Sequence, residues 1–234
     1  MSQVSVDTII PQSGTSITIG GSGDKVTLGG GGLGIVGVST FTSSGTWTKA
    51  TREAALGVTI KRVIVEVQGA GGSGTRTSSA TYYNGGSGGG YAKKLLDVSS
   101  ISSSTITVGS GGAGQTGIGA GNNGGLSSWS DGTNTITGNG GLGGIYTPDA
   151  NVAGASASGG DINITGQNGG TQNGGYMRGG DSFLGLGGLW NNNASADLDG
   201  HGYGSGGSPA ATGNSQVSSG AGADGIVIVT EIAG

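Results

Sequence analysis

Glycine occupies 59 of the 234 positions, against an average usage of about 7%. It recurs in dense runs from residues 69–74 through 220–225. Glycine has no side chain to bury and loses more conformational freedom on folding than any other residue. A chain of this kind either stays disordered or packs backbone directly against backbone. Disorder calls for high net charge beside low hydrophobicity, and the net charge here is only −4. Alternating apolar segments also begin and end the glycine-rich stretch, so the chain reads as ordered. Collagen is excluded, because no strict Gly-X-Y register exists and there are 3 prolines in all.

The remaining composition removes whole classes of function. There is no cysteine, hence no disulfide framework, thiolate zinc site or cysteine nucleophile, which fits assembly in a reducing cytoplasm. The opening MSQVSVDTII lacks the basic and apolar regions of a signal peptide. No run approaches the ~18 apolar residues of a spanning helix, so no membrane insertion is expected. A pI near 4.7 argues against nucleic-acid binding.

Two units are expected, residues 1–34 and 35–234. In the first, Val4 and Val6, Ile17 and Ile19, and Val26 and Leu28 alternate, and Ile9-Ile10-Pro11 ends a run. Three such short strands bury too little apolar surface to stand alone, so they fold on sister chains or a docking partner. Gly29–Gly32 reads as a hinge. In the second unit, strands are expected around Ile35–Phe41 and Trp47, over Val58–Val67, Tyr91–Val98 and Thr105–Val108, and at Ile226–Ile232. Thr51–Leu56 is the only short stretch with helical propensity. Phe41, Trp47 and Tyr91 are assigned to the core. Pairing the last strand with the early ones would leave residues 109–225 as a long glycine-rich excursion. A structureless loop of that length is improbable in a compact domain. Two ordered forms remain open: extended left-handed helices with three residues per turn, bonded to one another, or thin β-strands. The fold class is therefore all-β, sandwich-like and glycine-rich.

Glycine density falls over Thr75–Asn84, Ile145–Ala153, Gln172–Arg178, Trp190–Asp199 and Ser208–Ser219. Several of these intervals carry aromatic or amide side chains: Tyr82, Tyr83, Tyr146, Tyr176, Trp190 and Asn191, Asn192 and Asn193. A glycine scaffold interrupted by such loops reads as a rigid frame presenting contacts. With His201 and Tyr203 they form the candidate receptor-contacting set, suited to a cell-surface glycan or an outer-membrane protein. Val4, Val6, Ile9 and Ile10 are the candidate attachment residues.

Three ordered stretches carry a family resemblance: Phe41–Lys49; Val63–Gly72; and Gly88-Gly89-Gly90-Tyr91-Ala92-Lys93-Lys94. Together with the terminal Gly225–Val229, they resemble the glycine-rich domain of phage tail-fibre proteins. Val6–Pro11 with Ser13-Gly14-Thr15 and Ile19-Gly20-Gly21 is similar to the virion-attachment segment of tail fibres, especially those of marine phages. A more distant similarity is to tip adhesins built from stacked polyglycine helices. The resemblance implies a virion tail-fibre or tail-tip component, homotrimeric, docked on other tail proteins through its N-terminus and contacting a host cell-surface receptor. The sequence departs from the family at Ala50–Leu56, where a shorter Pro-containing turn is common.

Several signals have simpler readings. Gly69-Ala70-Gly71-Gly72-Ser73-Gly74 satisfies G-x-G-x-x-G after a strand, but no helical period follows, so no dinucleotide cofactor is expected. Gly159-Gly160-Asp161 and Gly179-Gly180-Asp181 lack the tandem array of calcium-binding rolls. Asp131, Asp199 and Asp224 precede glycine directly, which is turn chemistry. No carboxylate pair for glycoside cleavage is distinguished, and a lone His201 makes neither a metal cluster nor a triad. No cofactor and no catalysis are expected. The alternatives are a structural tail or baseplate component without receptor contact and a glycan-degrading tailspike.

Overall fold

The computed structural model describes residues 34–78, 84–147, 151–171, 177–189, 197–211 and 218–234. It is mostly β-strand in several sheets, with one short helix. One five-stranded antiparallel sheet runs in the order β1 (Gly34–Phe41), β14 (Ile226–Ala233), β3 (Ile60–Gln68), β5 (Tyr91–Asp97), β10 (Ile162–Ile164). A second runs β2 (Gly45–Thr48), β6 (Ser103–Thr107), β7 (Ser127–Ser130), β8 (Thr135–Gly138), β9 (Ala157–Ser158). Two small sheets pair β11 (Leu184–Leu186) with β12 (His201–Tyr203), and β4 (Arg76–Thr77) with β13 (Ala210–Ala211). As the sequence led us to expect, the last strand pairs with the early ones: β14 lies between β1 and β3.

The core follows from the period-two alternation. Val63, Val65 and Val67 of β3, Val227 and Val229 of β14, and Ala92 and Leu96 of β5 face Trp47, Ile106, Trp129 and Ile136 of the other large sheet. All are 5% exposed or less, and the Trp47 and Trp129 rings meet at 5.3 Å between centroids. Each buried aliphatic side chain contributes about 1.5–3 kcal/mol over leaving it in water. Tyr91 is buried as expected but in a different place. Paired across from Gln68 and Ile164, it sits on the opposite face of its sheet and stacks on Phe183.

The helix α1 (Lys49–Leu56) has no side-chain N-cap and ends at Gly57, whose φ of 68° lets its N–H reach the Glu53 carbonyl at 2.8 Å. Eight residues are too few for an isolated helix. Tertiary contacts hold it instead: Leu56 packs on the core, and Arg52 reaches Glu231 of β14.

Beyond the sheets the chain changes rule. Strand β3 runs straight into residues 69–75, whose N–H groups bond to three neighbouring segments in rotation. Gly69, Gly72 and Thr75 donate to the carbonyls of Gly90, Ser87 and Asn84. Ala70 and Ser73 donate to Gly125 and Asn122, and Gly71 and Gly74 donate to Ala223 and Gly220. The carbonyls of the same segment accept from a further set: Ala70 and Ser73 from Gly141 and Gly144, and Gly72 and Thr75 from Gly207 and Ala210. Residues 84–90 repeat the scheme, with Gly85 and Gly88, Gly86 and Gly89, and Ser87 and Gly90 donating to three different neighbours. A period of three in partner direction packs extended segments on all sides, whereas a strand pairs on two.

This packing requires glycine. A Cβ at Gly72, Gly86 or Gly89 would stand 2.1 Å from the carbonyl oxygen of Leu142, Gly72 or Gly69 respectively. Where serine replaces glycine, its hydroxyl joins the network. Ser73 Oγ accepts from Asn122 N–H at 2.7 Å, Ser87 Oγ accepts from Leu142 N–H at 2.8 Å, and Ser219 Oγ donates to the Gly74 carbonyl at 2.7 Å.

The array starts earlier than residue 109, and residues 109–225 are not one excursion. The chain returns to the sheets several times, supplying β7, β8, β9 and β10 on the way.

Candidate recognition surface

The array segments run out from the sheets and back, so the described residues flanking the low-glycine intervals gather at the end remote from the sheets. These stems touch one another there. Arg76 bridges Gly119, Asn84 bridges Thr171, Val152 bridges Gly169, Arg178 bridges Leu189, and β13 pairs with β4. These stems flank all five low-glycine intervals singled out in the sequence. Gly34, where the described chain begins, lies at the other pole: it pairs with Ala233, which in turn pairs with Ile60 at the far end of β3.

Side chains tie the stems together. Asn84 Nδ2 donates to the carbonyls of Ile145 and of Thr147, the latter at 3.0 Å, and so clamps the backbone around Tyr146. Tyr146 is half-buried at this end. Arg76 donates to the Thr116 carbonyl, and Ser219 N–H to the Gln115 carbonyl at 2.9 Å. A groove of about 420 Å³ runs between Asn151, Asn168, Thr171 and Arg178. Arg178 forms an ion pair with Asp181, so the groove carries no uncompensated charge.

Of the sequence-derived contact residues, Tyr82, Tyr83, Tyr176, Trp190, Asn191, Asn192 and Asn193 lie outside the described residues, as do Val4, Val6, Ile9 and Ile10. His201 and Tyr203 are not themselves stem residues. They sit in β12, back toward the sheets, where Gly204 donates to the Asp224 carbonyl and accepts from Gly89. At about 3.1 Å per extended residue, the chain from Tyr203 to the β13 stem spans roughly 20 Å, whereas His201 lies beside Asp197, whose carbonyl accepts from Leu189 N–H at 3.2 Å. His201 Nε2 lies 3.2 Å from Asp197 Oδ2, and both side chains are exposed.

Four of the aspartates have backbone partners. Asp131 accepts from Thr133 and Asn134 N–H, Asp161 from Leu95, Asp199 from Ala221 and Asp224 from Gly111. Among the described residues no three His, Cys, Asp or Glu side chains cluster to hold a metal ion. The segment 69–74, which matches a dinucleotide fingerprint by spelling, is an array segment with no helix after it among the described residues.

Two residues escaped sequence reasoning. Glu231, set aside there as a residue near the chain end, is fully buried and accepts from Arg52 Nε at 2.7 Å, Arg52 Nη2 at 2.8 Å, Ser39 Oγ at 2.8 Å and Trp47 Nε1 at 3.1 Å. Burial pushes its pKa up, but the hydrogen bonds from Arg52, Ser39 and Trp47 and the charge of Arg52 outweigh burial and hold it below 4.5. With its oxygens committed, it is a structural anchor. Its position on the core face of β14, among Val227 and Val229, was the available signal. Phe183 is the other: half its surface is exposed beside the ring of Tyr91, and only its aromatic character in a Gly-Asp-Ser context marked it. No family model matches the chain, and no curated protein matches it.

Proposed function

We propose that this chain is a phage tail-fibre or tail-tip protein that attaches the virion to the host cell surface. In this reading, residues 1–34 dock on other tail proteins and assemble three copies, while the five loops carried by the array contact the receptor. It works by recognition and not by catalysis. The observation that carries the reading is polarity: the stems of all five loops converge on one end, and Gly34 lies at the other. A fibre component needs that separation between its virion side and its host side.

Three further features support it. The two large sheets around one core read as a β-sandwich, and the period-three segments read as polyglycine II helices, a backbone-bonded scaffold stiff enough to present loops. Among the described residues, Asp131, Asp161, Asp199 and Asp224 accept backbone N–H groups, which favours turn and scaffold roles for them over glycoside hydrolysis. The stem groove is polar and charge-balanced, which suits a hydroxylated surface more than a charged one.

The test is host-cell binding by the full chain, comparing wild type with the Tyr82→Ala, Tyr83→Ala, Trp190→Ala triple variant. Saturable binding that the triple variant loses, with its thermal unfolding unchanged, is the expected result. Binding retained by the variant removes the loops from the reading. No binding by the wild type moves the chain to a structural role in the tail.

A further inference from the structure

We infer that the flank of the array at Phe183 is a binding subsite for a neutral pyranose. It adjoins the stem groove, with which it shares Gln167 and Asn168, and does not rest on the function proposed above.

The site begins with Tyr91. Its ring is buried, and its hydroxyl donates to Glu66 Oε1, which also receives Lys93 Nζ at 3.4 Å. Burial and then this hydrogen bond raise the Tyr91 pKa, so the hydroxyl stays protonated and the ring is fixed at both ends. Phe183 stacks on it with centroids 4.2 Å apart and ring planes tilted by 32°. One face of Phe183 is therefore held against a rigid partner, while 54% of its surface remains in solvent. An aromatic ring immobilised and left bare is a stacking platform.

Phe183 lines an open groove of about 580 Å³ with Ile164, Gln167, Asn168 and Asp181. That volume falls within the roughly 300–1,000 Å³ of small-molecule sites. The amide side chains are oriented by their oxygens: Gln167 Oε1 accepts from Asp181 N–H at 3.3 Å, and Asn168 Oδ1 accepts from Gly154 N–H at 2.9 Å. Their NH₂ groups make no hydrogen bond among the described residues, which leaves two donors on the groove wall. Asp181 Oδ1 is engaged by Arg178 and by Gly187 N–H, leaving Oδ2 as an acceptor.

The groove thus presents an apolar plate, two amide donors and one carboxylate oxygen. A pyranose matches this set, with a face of C–H bonds for the plate and hydroxyls that both accept and donate. Charge narrows the ligand further. Among the described residues no cation lines the groove, and Arg178 beside it is ion-paired with Asp181, so a phosphate or sulfate finds no free positive partner and an ammonium finds no free negative one.

The experiment is saturation-transfer-difference NMR on the full chain with three probes: methyl α-D-glucopyranoside, methyl α-D-galactopyranoside and methyl N-acetyl-β-D-glucosaminide. A separate arm uses purified host envelope polysaccharide. We expect saturation to reach the ring C–H protons of at least one glycoside. Phe183→Ala should weaken that binding about tenfold or more, the order of one lost aromatic stacking contact. Phe183→Trp should keep it, and Asp181→Asn should weaken it by less. Response to a glycoside and the polysaccharide alike identifies a surface glycan as the source; response to a glycoside alone identifies free sugar. No saturation transfer to any probe overturns the inference, as does equal binding by Phe183→Ala with its tryptophan fluorescence native. The Tyr82, Tyr83, Trp190 triple variant should retain glycoside binding, which keeps failure of this subsite separate from failure of the loop end.

Discussion

Alanine at Gly72 should damage the protein far more than alanine at Gly117, although both substitutions add one methyl group. At Gly72 the new Cβ would stand 2.1 Å from the Leu142 carbonyl oxygen and 2.4 Å from its carbon. At Gly117 nothing lies within 4 Å. Relief at Gly72 means moving two backbones apart by about 1 Å, since Cβ contacts much under 3 Å do not persist in close-packed interiors. The bonds at risk are Gly72 N–H to Ser87, Gly207 N–H to Gly72, Ser87 N–H to Leu142, and Leu142 N–H to Ser87 Oγ, which run from 2.8 to 3.0 Å. Each contributes about 0.5–1.5 kcal/mol net, and a buried group left unpaired costs about 1–3 kcal/mol. Losing two or three of them gives a destabilisation of about 3–5 kcal/mol, near the lower end of the ~5–15 kcal/mol available to a whole domain. Gly117→Ala should be neutral or stabilising by about 0.4–1 kcal/mol, because it only restricts the unfolded chain. Urea unfolding followed by tryptophan fluorescence, with Trp47 and Trp129 buried in the core, reads both variants on one axis. In thermal scans Gly72→Ala should lose roughly 10 °C, at ~2–4 °C per kcal/mol for a chain of this size. Midpoints of the two variants within experimental error of each other would falsify the reading that glycine is there for backbone approach.

Arg52→Ala should cost about 3–5 kcal/mol, because it strands the fully buried Glu231 carboxylate, whereas Glu231→Gln should cost less, since partly exposed Arg52 can turn to water. The same pair sets an acid dependence. The folded pKa of Glu231 lies below its ordinary 4.5, so its contribution is fully present above that value and is lost as pH falls through the lower folded pKa. Urea midpoints of the wild type should therefore decline on acidification below about pH 4.5, with a shallower decline in Glu231→Gln, and equal slopes would remove Glu231 as a cause. Gly57→Ala should cost about 1 kcal/mol through its left-handed φ of 68°, and Gly57→Asn less, both read as shifts in urea midpoint. Ser219→Ala should lose about 1–3 kcal/mol, because its hydroxyl is buried and bonds both Gly74 O and Gln115 N–H at 2.7 and 2.8 Å.

Legibility in the sequence tracked how local the physics is. Val63, Val65 and Val67 announce a strand by alternation and the closing Ile226–Val229 by an unbroken apolar run, and both form where expected. The hairpin of β7 and β8 went unread, although Trp129 and Ile136 sit fully buried in it. Its signal was four-residue strands of serine and threonine around one large side chain each, joined through Asp131-Gly132, which merges with the surrounding glycine turns. The array was legible as composition but not as geometry. The partners of Gly71 and Gly74, namely Ala223 and Gly220, lie far away along the chain, and glycine carries no side-chain pattern to mark a direction. The far end was legible as interruptions of glycine density, because bulky side chains are excluded from packed positions that admit glycine and small residues such as Ala70, Ser73 and Ser87. His201 and Tyr203 lie instead in the short strand β12, paired with β11.

The same exclusion explains why such a frame suits recognition. In an apolar core, side chains supply cohesion, so a change in one element is felt by its neighbours through packing. In the array, cohesion comes from N–H and C=O groups, as in the chain of bonds linking Gly86 to Gly207, Gly207 to Gly72, and Gly72 to Ser87. Those groups are identical at every position and independent of what the turns contain. Each stem is fixed before its loop begins, by bridges such as Asn84 to Thr171 and Arg178 to Leu189. A loop can therefore exchange its residues without loosening the stem that carries it, so stability and contact chemistry reside in different atoms. The out-and-back path then sets which pole carries that freedom. At the near end the chain must pass into strands whose register is fixed by the core, and only the far end is left to vary.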